Sequence, residues 1–145
     1  MISIDKVNAL IIEKIQAVLP KVPFTAQEKL EEIERPAFKL VLDEVQSERF
    51  SPAMVRRVFP VELDYFAKDV LRPKLECFEV LEKIEPVLLG LAEKIKANLI
   101  SLDGVIFIEF EVVQIDALAV GDEDPGAVGS GEDMEKLEME EELWQ

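Results

Sequence analysis

The apolar residues of this chain change period along its length, and that change constrains the fold more than any other feature. Ile4, Val7, Ile11, Ile15 and Val18 recur every three or four residues, with Asp5, Lys6, Glu13, Lys14 and Gln16 between them. This is the single stripe of an amphipathic helix. Ser3 is placed to cap it and Pro20 to stop it. After a short extended piece around Phe24 the period falls to two: Phe38, Leu40 and Leu42 alternate with Lys39 and Asp43, as in a half-buried strand. The run from Val55 to Phe66 places Val55, Phe59, Val61, Leu63 and Tyr65 on one face and Arg56, Glu62 and Asp64 on the other. Pro60 interrupts that run and has no amide hydrogen to give a ladder, so this strand is expected at a sheet edge or with a bulge.

Pro73 opens a second helix at a first-turn position, with Leu75, Phe78, Leu81 and Ile84 as its expected buried stripe and Pro86 as its end. Residues 91–100 read either as more helix or as a strand in which Ile95, Ala97 and Leu99 alternate with Lys94, Lys96 and Asn98. The pair Asp103-Gly104 before Val105-Ile106-Phe107-Ile108 decides for a hairpin, because a type I′ turn needs positive φ at both central residues. The expected fold is α+β: a small mixed or antiparallel sheet with two main helices packed on one face, followed by an acidic C-terminal tail.

Charge draws the domain boundary. The chain has 145 residues and a formal net charge of −15. Residues 1–120 carry 15 basic and 21 acidic side chains, whereas residues 121–145 carry one base, Lys136, and ten acids. Gly121-Asp122-Glu123-Asp124-Pro125-Gly126 separates them, a stretch that sustains neither helix nor ladder. The expected organisation is one domain over 1–120 and an acidic tail over 121–145. That tail is disordered in isolation or forms a short helix on a partner, with Trp144 as its anchor.

The same charge disfavours sequence-specific nucleic acid and anionic membrane as partners, since such a surface repels phosphates. With no histidine in the chain, the usual acid–base pairs, histidine-activated nucleophiles and most transition-metal sites are missing. Cys77 is the only cysteine, so no intrachain disulfide forms, and the first five residues lack the features of a signal peptide. Synthesis in a reducing cytoplasm is expected, and no apolar run approaches the roughly 20 residues of a membrane span.

Two acid pairs were weighed for chemistry. Glu62-Leu63-Asp64 and Glu109-Phe110-Glu111 each set two carboxylates on one strand face, as magnesium-dependent nuclease cores do, but neither has a lysine at the required offset. Both are expected to be solvated strand faces. Cys77, beside Phe78 and with no basic neighbour to lower its pKa, is expected to be a buried, inert thiol. Arg49, Phe50, Arg56 and Arg57 form the one locally basic and aromatic patch, in the connection between two strands. Arginine and aromatic residues dominate protein-contact centres, so these four and Trp144 are the candidate interface residues. A solvated hairpin tip is an equal reading of the four, and a phosphate-binding patch a weaker one, because basic stripes that bind phosphate are usually longer. No catalytic, cofactor-binding or metal-binding residue is expected.

Four segments taken in order carry a resemblance: Glu34-Arg35-Pro36-Ala37-Phe38-Lys39-Leu40; Val55-Arg56-Arg57-Val58-Phe59-Pro60-Val61 continuing to Asp64-Tyr65-Phe66-Ala67-Lys68; Glu76-Cys77-Phe78-Glu79-Val80-Leu81-Glu82-Lys83-Ile84; and Leu102-Asp103-Gly104-Val105-Ile106-Phe107-Ile108. Together with the first helix they resemble the tail terminator, or tail completion, proteins of bacteriophages and prophage-derived tails, in the form found in Gram-positive bacteria. The resemblance implies a structural protein without enzymatic activity or cofactor. Such a protein caps the head-proximal end of the tail tube as a homo-hexameric ring, ends polymerisation and joins tail to neck. Its implied partners are the tail tube protein and a neck or head–tail connector protein, with a sheath or tape-measure protein as further contacts. Its implied place is the virion tail or neck. Two alternatives are a neck or head-completion protein and an acidic inhibitor that mimics DNA.

Overall fold

The computed structural model of the chain describes residues 3–117. The acidic segment 121–145, with its expected anchor Trp144, lies outside the described residues. Two helices and five strands follow in the order α1 (Ile4–Val18), β1 (Ala37–Val41), β2 (Gln46–Ser51), β3 (Met54–Phe66), α2 (Pro73–Leu89), β4 (Ile95–Ile100) and β5 (Val105–Ala117), with a 3-10 turn at Leu30–Glu32. The strands form one sheet in the order β1-β3-β5-β4, with β2 also paired to β3. The β1–β3, β2–β3 and β4–β5 pairings are antiparallel. The fold is therefore α+β, as expected. Among the described residues the chain divides into two compact units: 3–44 with 59–112, and 45–58 with 113–117.

In the larger unit, α1 forms as the sequence dictates. The Ser3 side chain accepts the Lys6 amide, Leu19 closes the helix on the Ile15 carbonyl, and Val7, Ile11 and Ile15 are buried. These residues join one core with Cys77, Val80, Ile84 and Leu88 of α2. The sheet side of that core is Phe38, Phe59, Val61, Leu63, Tyr65, Ile106, Ile108 and Phe110. Every second residue along β3 and β5 faces the helices, which is the period-two pattern of a half-covered sheet. The opposite face holds a smaller cluster of Ile33, Ala37, Phe66 and Val105, with Phe107 packed against it.

Four expectations need correction. Pro60 does not put β3 at an edge, because β3 has neighbours on both sides. On one side β2 takes Met54 to Val58 and β1 takes Glu62 to Phe66, so Pro60 falls in the gap between those two partners. Pro86 does not end α2, which runs on to Leu89. The amide that Pro86 lacks would have bonded the carbonyl of Glu82, an exposed residue. Of the expected α2 stripe, Ile84 is buried and Leu81 packs partly against the core, but Leu75 and Phe78 face outward; the buried residues are Pro73, Cys77, Val80, Ile84 and Leu88. At about 100° per residue, a start two positions away selects nearly the opposite face.

The hairpin at Asp103-Gly104 forms, but not around a type I′ turn. Ile100 pairs with Val105, leaving the four-residue loop Ser101–Gly104, in which the Gly104 amide donates to the Ser101 carbonyl at 3.2 Å. Only Gly104 has positive φ, at 66°. A single left-handed residue closes this loop, and glycine adopts that conformation without steric penalty.

Candidate protein-interaction site

The second unit contains the hairpin formed by β2 and the first part of β3, and the four arginine–aromatic candidates lie on it. β2 was not expected as a separate strand, since Gln46-Ser47-Glu48-Arg49-Phe50-Ser51 shows no apolar alternation. It forms through its ladder with β3, in the register Gln46↔Val58, Ser47↔Arg57, Glu48↔Arg56 and Arg49↔Val55. Ser51 pairs with Met54 across Pro52-Ala53, and the Ser51 hydroxyl accepts the Ala53 amide. The register slips between Arg49 and Ser51, so Phe50 is the extra residue of a β-bulge. Bulges re-aim a side chain, and Phe50 is 40% exposed.

Register separates the arginines. Residues paired across an antiparallel ladder share a face, and successive residues alternate. Arg57 and Ser47 therefore lie on the same face as Arg49 and Val55, while Arg56 and Glu48 lie on the other. Arg56 Nη1 donates to Glu48 Oε1 at 3.2 Å in an exposed ion pair that neutralises its charge locally. Arg57 Nε is buried and has no partner. Thus the structure brings Arg49 and Arg57 together, sets Phe50 at the bulge, and excludes Arg56 from that face. The alternation in the sequence held this information once β2 was known to be a strand.

Among the polar residues weighed in the larger unit, Asp64 departs from expectation, while Glu109, Glu111 and Cys77 do not. Asp64 was expected on a solvated face, yet it is 4% exposed and its Oδ1 has no hydrogen-bond partner. Burial, followed by the charge and hydrogen bond of Glu62, pushes its carboxyl up to about 7, against the opposing pull of Lys39, its cross-strand partner. Glu109 and Glu111 are exposed as expected. Cys77 is buried, and burial first, then the neighbouring Glu76, pushes its thiol up to about 11, against the pull of Arg35. This environment makes it a packing residue with little thiolate at neutral pH.

Arg35 and Glu76 were missed as organising residues. Arg35 donates through Nη1 to the Ala67 and Gly104 carbonyls and through Nη2 to the Asp103 carbonyl, with its guanidinium over the Phe66 ring. Glu76 accepts the Tyr65 hydroxyl and the Lys68 and Asp69 amides. Both belong to the segments that carry the family resemblance, and that order of motifs was their only signal in the sequence.

A cleft of about 280 Å³ is lined by Pro23, Phe24, Thr25, Gln27, Glu32, Glu34 and Ala37, which include no nucleophile paired with a base. Among the described residues no group of three or more metal-ligating side chains converges, and no helix is long and apolar enough to cross a membrane. What the described surface does offer is a ladder-built hairpin with Arg49 and Arg57 on one face and a bulged, exposed Phe50, carried by an α+β fold. The chain belongs to the phage tail terminator family: it matches the family described as "Phage tail terminator protein" over residues 6–118. That match runs from α1 to the end of β5 and places the chain among the structural proteins of phage tail assembly, in the virion tail. No curated protein matches the chain.

Proposed function

We propose that this protein caps the head-proximal end of a phage or phage-derived tail tube as a homo-hexameric ring, stops tube growth there, and offers its free side to a neck or connector protein. The observation that carries this reading is the family match across all seven helices and strands. The Arg49 and Arg57 face, with Phe50, supplies one of its protein contacts, to tube protein or to an adjacent copy. Arginine desolvates readily for such contacts, and a bulged aromatic adds apolar area. A net negative body also suits a channel carrying DNA, because phosphates are repelled instead of held.

Electron microscopy of particles assembled without the gene tests the reading. Tubes of variable and excessive length, or tails without heads, are expected because nothing occludes the growing end. Tails of normal length that join heads normally would overturn it. For the contact, Arg57→Glu should lower incorporation into particles more than Arg56→Glu, since Arg56 is already paired with Glu48. Equal effects would remove the contact from that face.

A further inference from the structure

The strongest unassigned feature lies in the larger unit, where the loop 67–72, the first turns of α2 and the β4–β5 turn present apolar side chains to solvent. Leu71 is 93% exposed, Leu102 91% and Leu75 72%, with Val70 and Phe78 also exposed. Scattered exposed leucines are ordinary. These are held by a built scaffold. Arg35 bonds the Ala67 carbonyl at 3.1 Å, that of Gly104 at 3.0 Å and that of Asp103 at 2.7 Å, which ties the loop to the turn. A Cβ at Gly104 would lie 3.5 Å from the Cα of Val70, so the two segments abut. Glu76 fastens the same loop to α2 through the Lys68 and Asp69 amides, at 2.6 and 3.1 Å. Asp69 Oδ1 accepts the Leu71 and Arg72 amides, both at 3.1 Å. A loop ordered before binding has less entropy to lose when a partner arrives.

The rim of this patch concentrates three exposed bases, Lys68, Arg72 and Lys74, within seven residues of one another, beside the exposed acids Asp69, Glu79 and Asp103, in a chain of net charge −15. We propose that the patch is the docking site for the acidic C-terminal segment, residues 121–145, of a second copy of this chain. The segment matches it in two respects. It has ten acids against one base, and its apolar residues Met134, Leu137, Leu143 and Trp144 suit the Leu71, Leu75, Phe78 and Leu102 surface. It also has reach, for the chain between the end of β5 at Ala117 and Met134 spans up to roughly 55 Å when extended. The second-copy assignment rests on the ring reading: subunits that join head to tail carry both halves of the contact on one chain, and this chain does.

Trp144 is the only tryptophan, so its emission reports the segment directly. In the full-length protein its spectrum should shift to the blue as concentration rises. Leu71→Asp with Leu75→Asp should weaken that transition at least tenfold without altering the fold, because both side chains are exposed. Mixing decides the copy: this patch variant, which keeps Trp144, should show the blue shift when full-length Trp144→Ala protein, which keeps the patch, is added. High salt should weaken the transition by screening the acidic segment from the basic rim. The proposal is overturned by absence of a shift on mixing, by a shift independent of concentration, or by a shift that appears only when tail tubes are added. Because tail length in particles is a separate readout, normal lengths without the gene beside a positive mixing result would sink the terminator reading and leave the docking intact.

Discussion

β1 and β2 both pair antiparallel with β3, yet β1 buries Ala37 and Phe38 while β2 leaves Gln46 through Phe50 exposed. In the larger unit the strand sequence is apolar, Phe38 stacks on Phe24 and meets the Tyr65 ring at a tilt, and the ladder is backed by a helix-covered core. In the hairpin the ladder itself holds a polar strand whose residues Gln46 to Phe50 are exposed. The difference separates two tasks: one region supplies folding free energy, and the other supplies charged groups at a fixed spacing. Burial of an aromatic ring stabilises in proportion to area, whereas an exposed ion pair contributes little.

The largest effect expected from that contrast is on stability. Phe38→Ala should cost about 3 to 5 kcal/mol, the usual range for a fully buried phenylalanine, while Arg49→Ala should stay within about 0.5 kcal/mol. Urea denaturation of the two variants checks it. A comparable loss at Arg49 would show that the hairpin contributes to the folding core and would break the distinction.

How far the sequence reveals these regions depends on whether the signal is local. The cap and stripe of α1 are local, so Ser3, Val7, Ile11 and Ile15 identify the helix unaided. Asp103-Gly104 marks the hairpin, but the turn type depends on loop length, which the pairing of Ile100 with Val105 sets. In α2 two apolar stripes compete, and tertiary packing selects Cys77-Val80-Ile84-Leu88 over the one through Leu75 and Phe78. β2 is invisible because its order comes from a partner strand. For the candidate site, the residue types were legible and their faces were not, since Arg56 and Arg57 separate only once the register is known. Asp64 escaped because its burial comes from neighbours distant in sequence.

A pair of arginines sharpens the comparison at the next level of effect. Arg35, which makes three charge-assisted bonds to backbone carbonyls in the larger unit, should cost about 2 to 3 kcal/mol when changed to alanine. Arg56, which makes one exposed ion pair on the hairpin, should cost about 0.2 to 1 kcal/mol. The same denaturation measurement separates them, and similar losses would mean that the Arg35 clamp contributes no more than a surface pair.

A pH-dependent effect is expected at Asp64. An unfolded aspartate loses its proton near 3.8, whereas folded Asp64 keeps it to about 7. Between those values the folded state binds more protons, so this group's contribution makes stability fall as pH rises from about 4 to 7 and then level off. Asp64→Asn should flatten that slope and stabilise the protein at pH 8 relative to wild type, with little difference at pH 4. Thermal melts across that range test it, and an unchanged slope in Asp64→Asn would assign the pH dependence to another group.

The smallest effect on folding is expected outside both regions. The family match stops at residue 118 and the two described cores draw all their residues from before Val113, so truncation after Val120 removes ten acids and one base without removing a core side chain. The melting temperature should hardly change, and a slight rise would follow from relief of like-charge repulsion. If the truncated protein melts well below wild type, the C-terminal segment takes part in the fold of its own chain, and the boundary near Gly121 is wrong. If it melts alike but no longer enters particles, the segment acts in assembly, as its acids and its lone tryptophan lead one to expect. That outcome would extend the contrast between β1 and β2: in this chain the charged, exposed residues would serve contact, and the buried apolar ones would serve the fold.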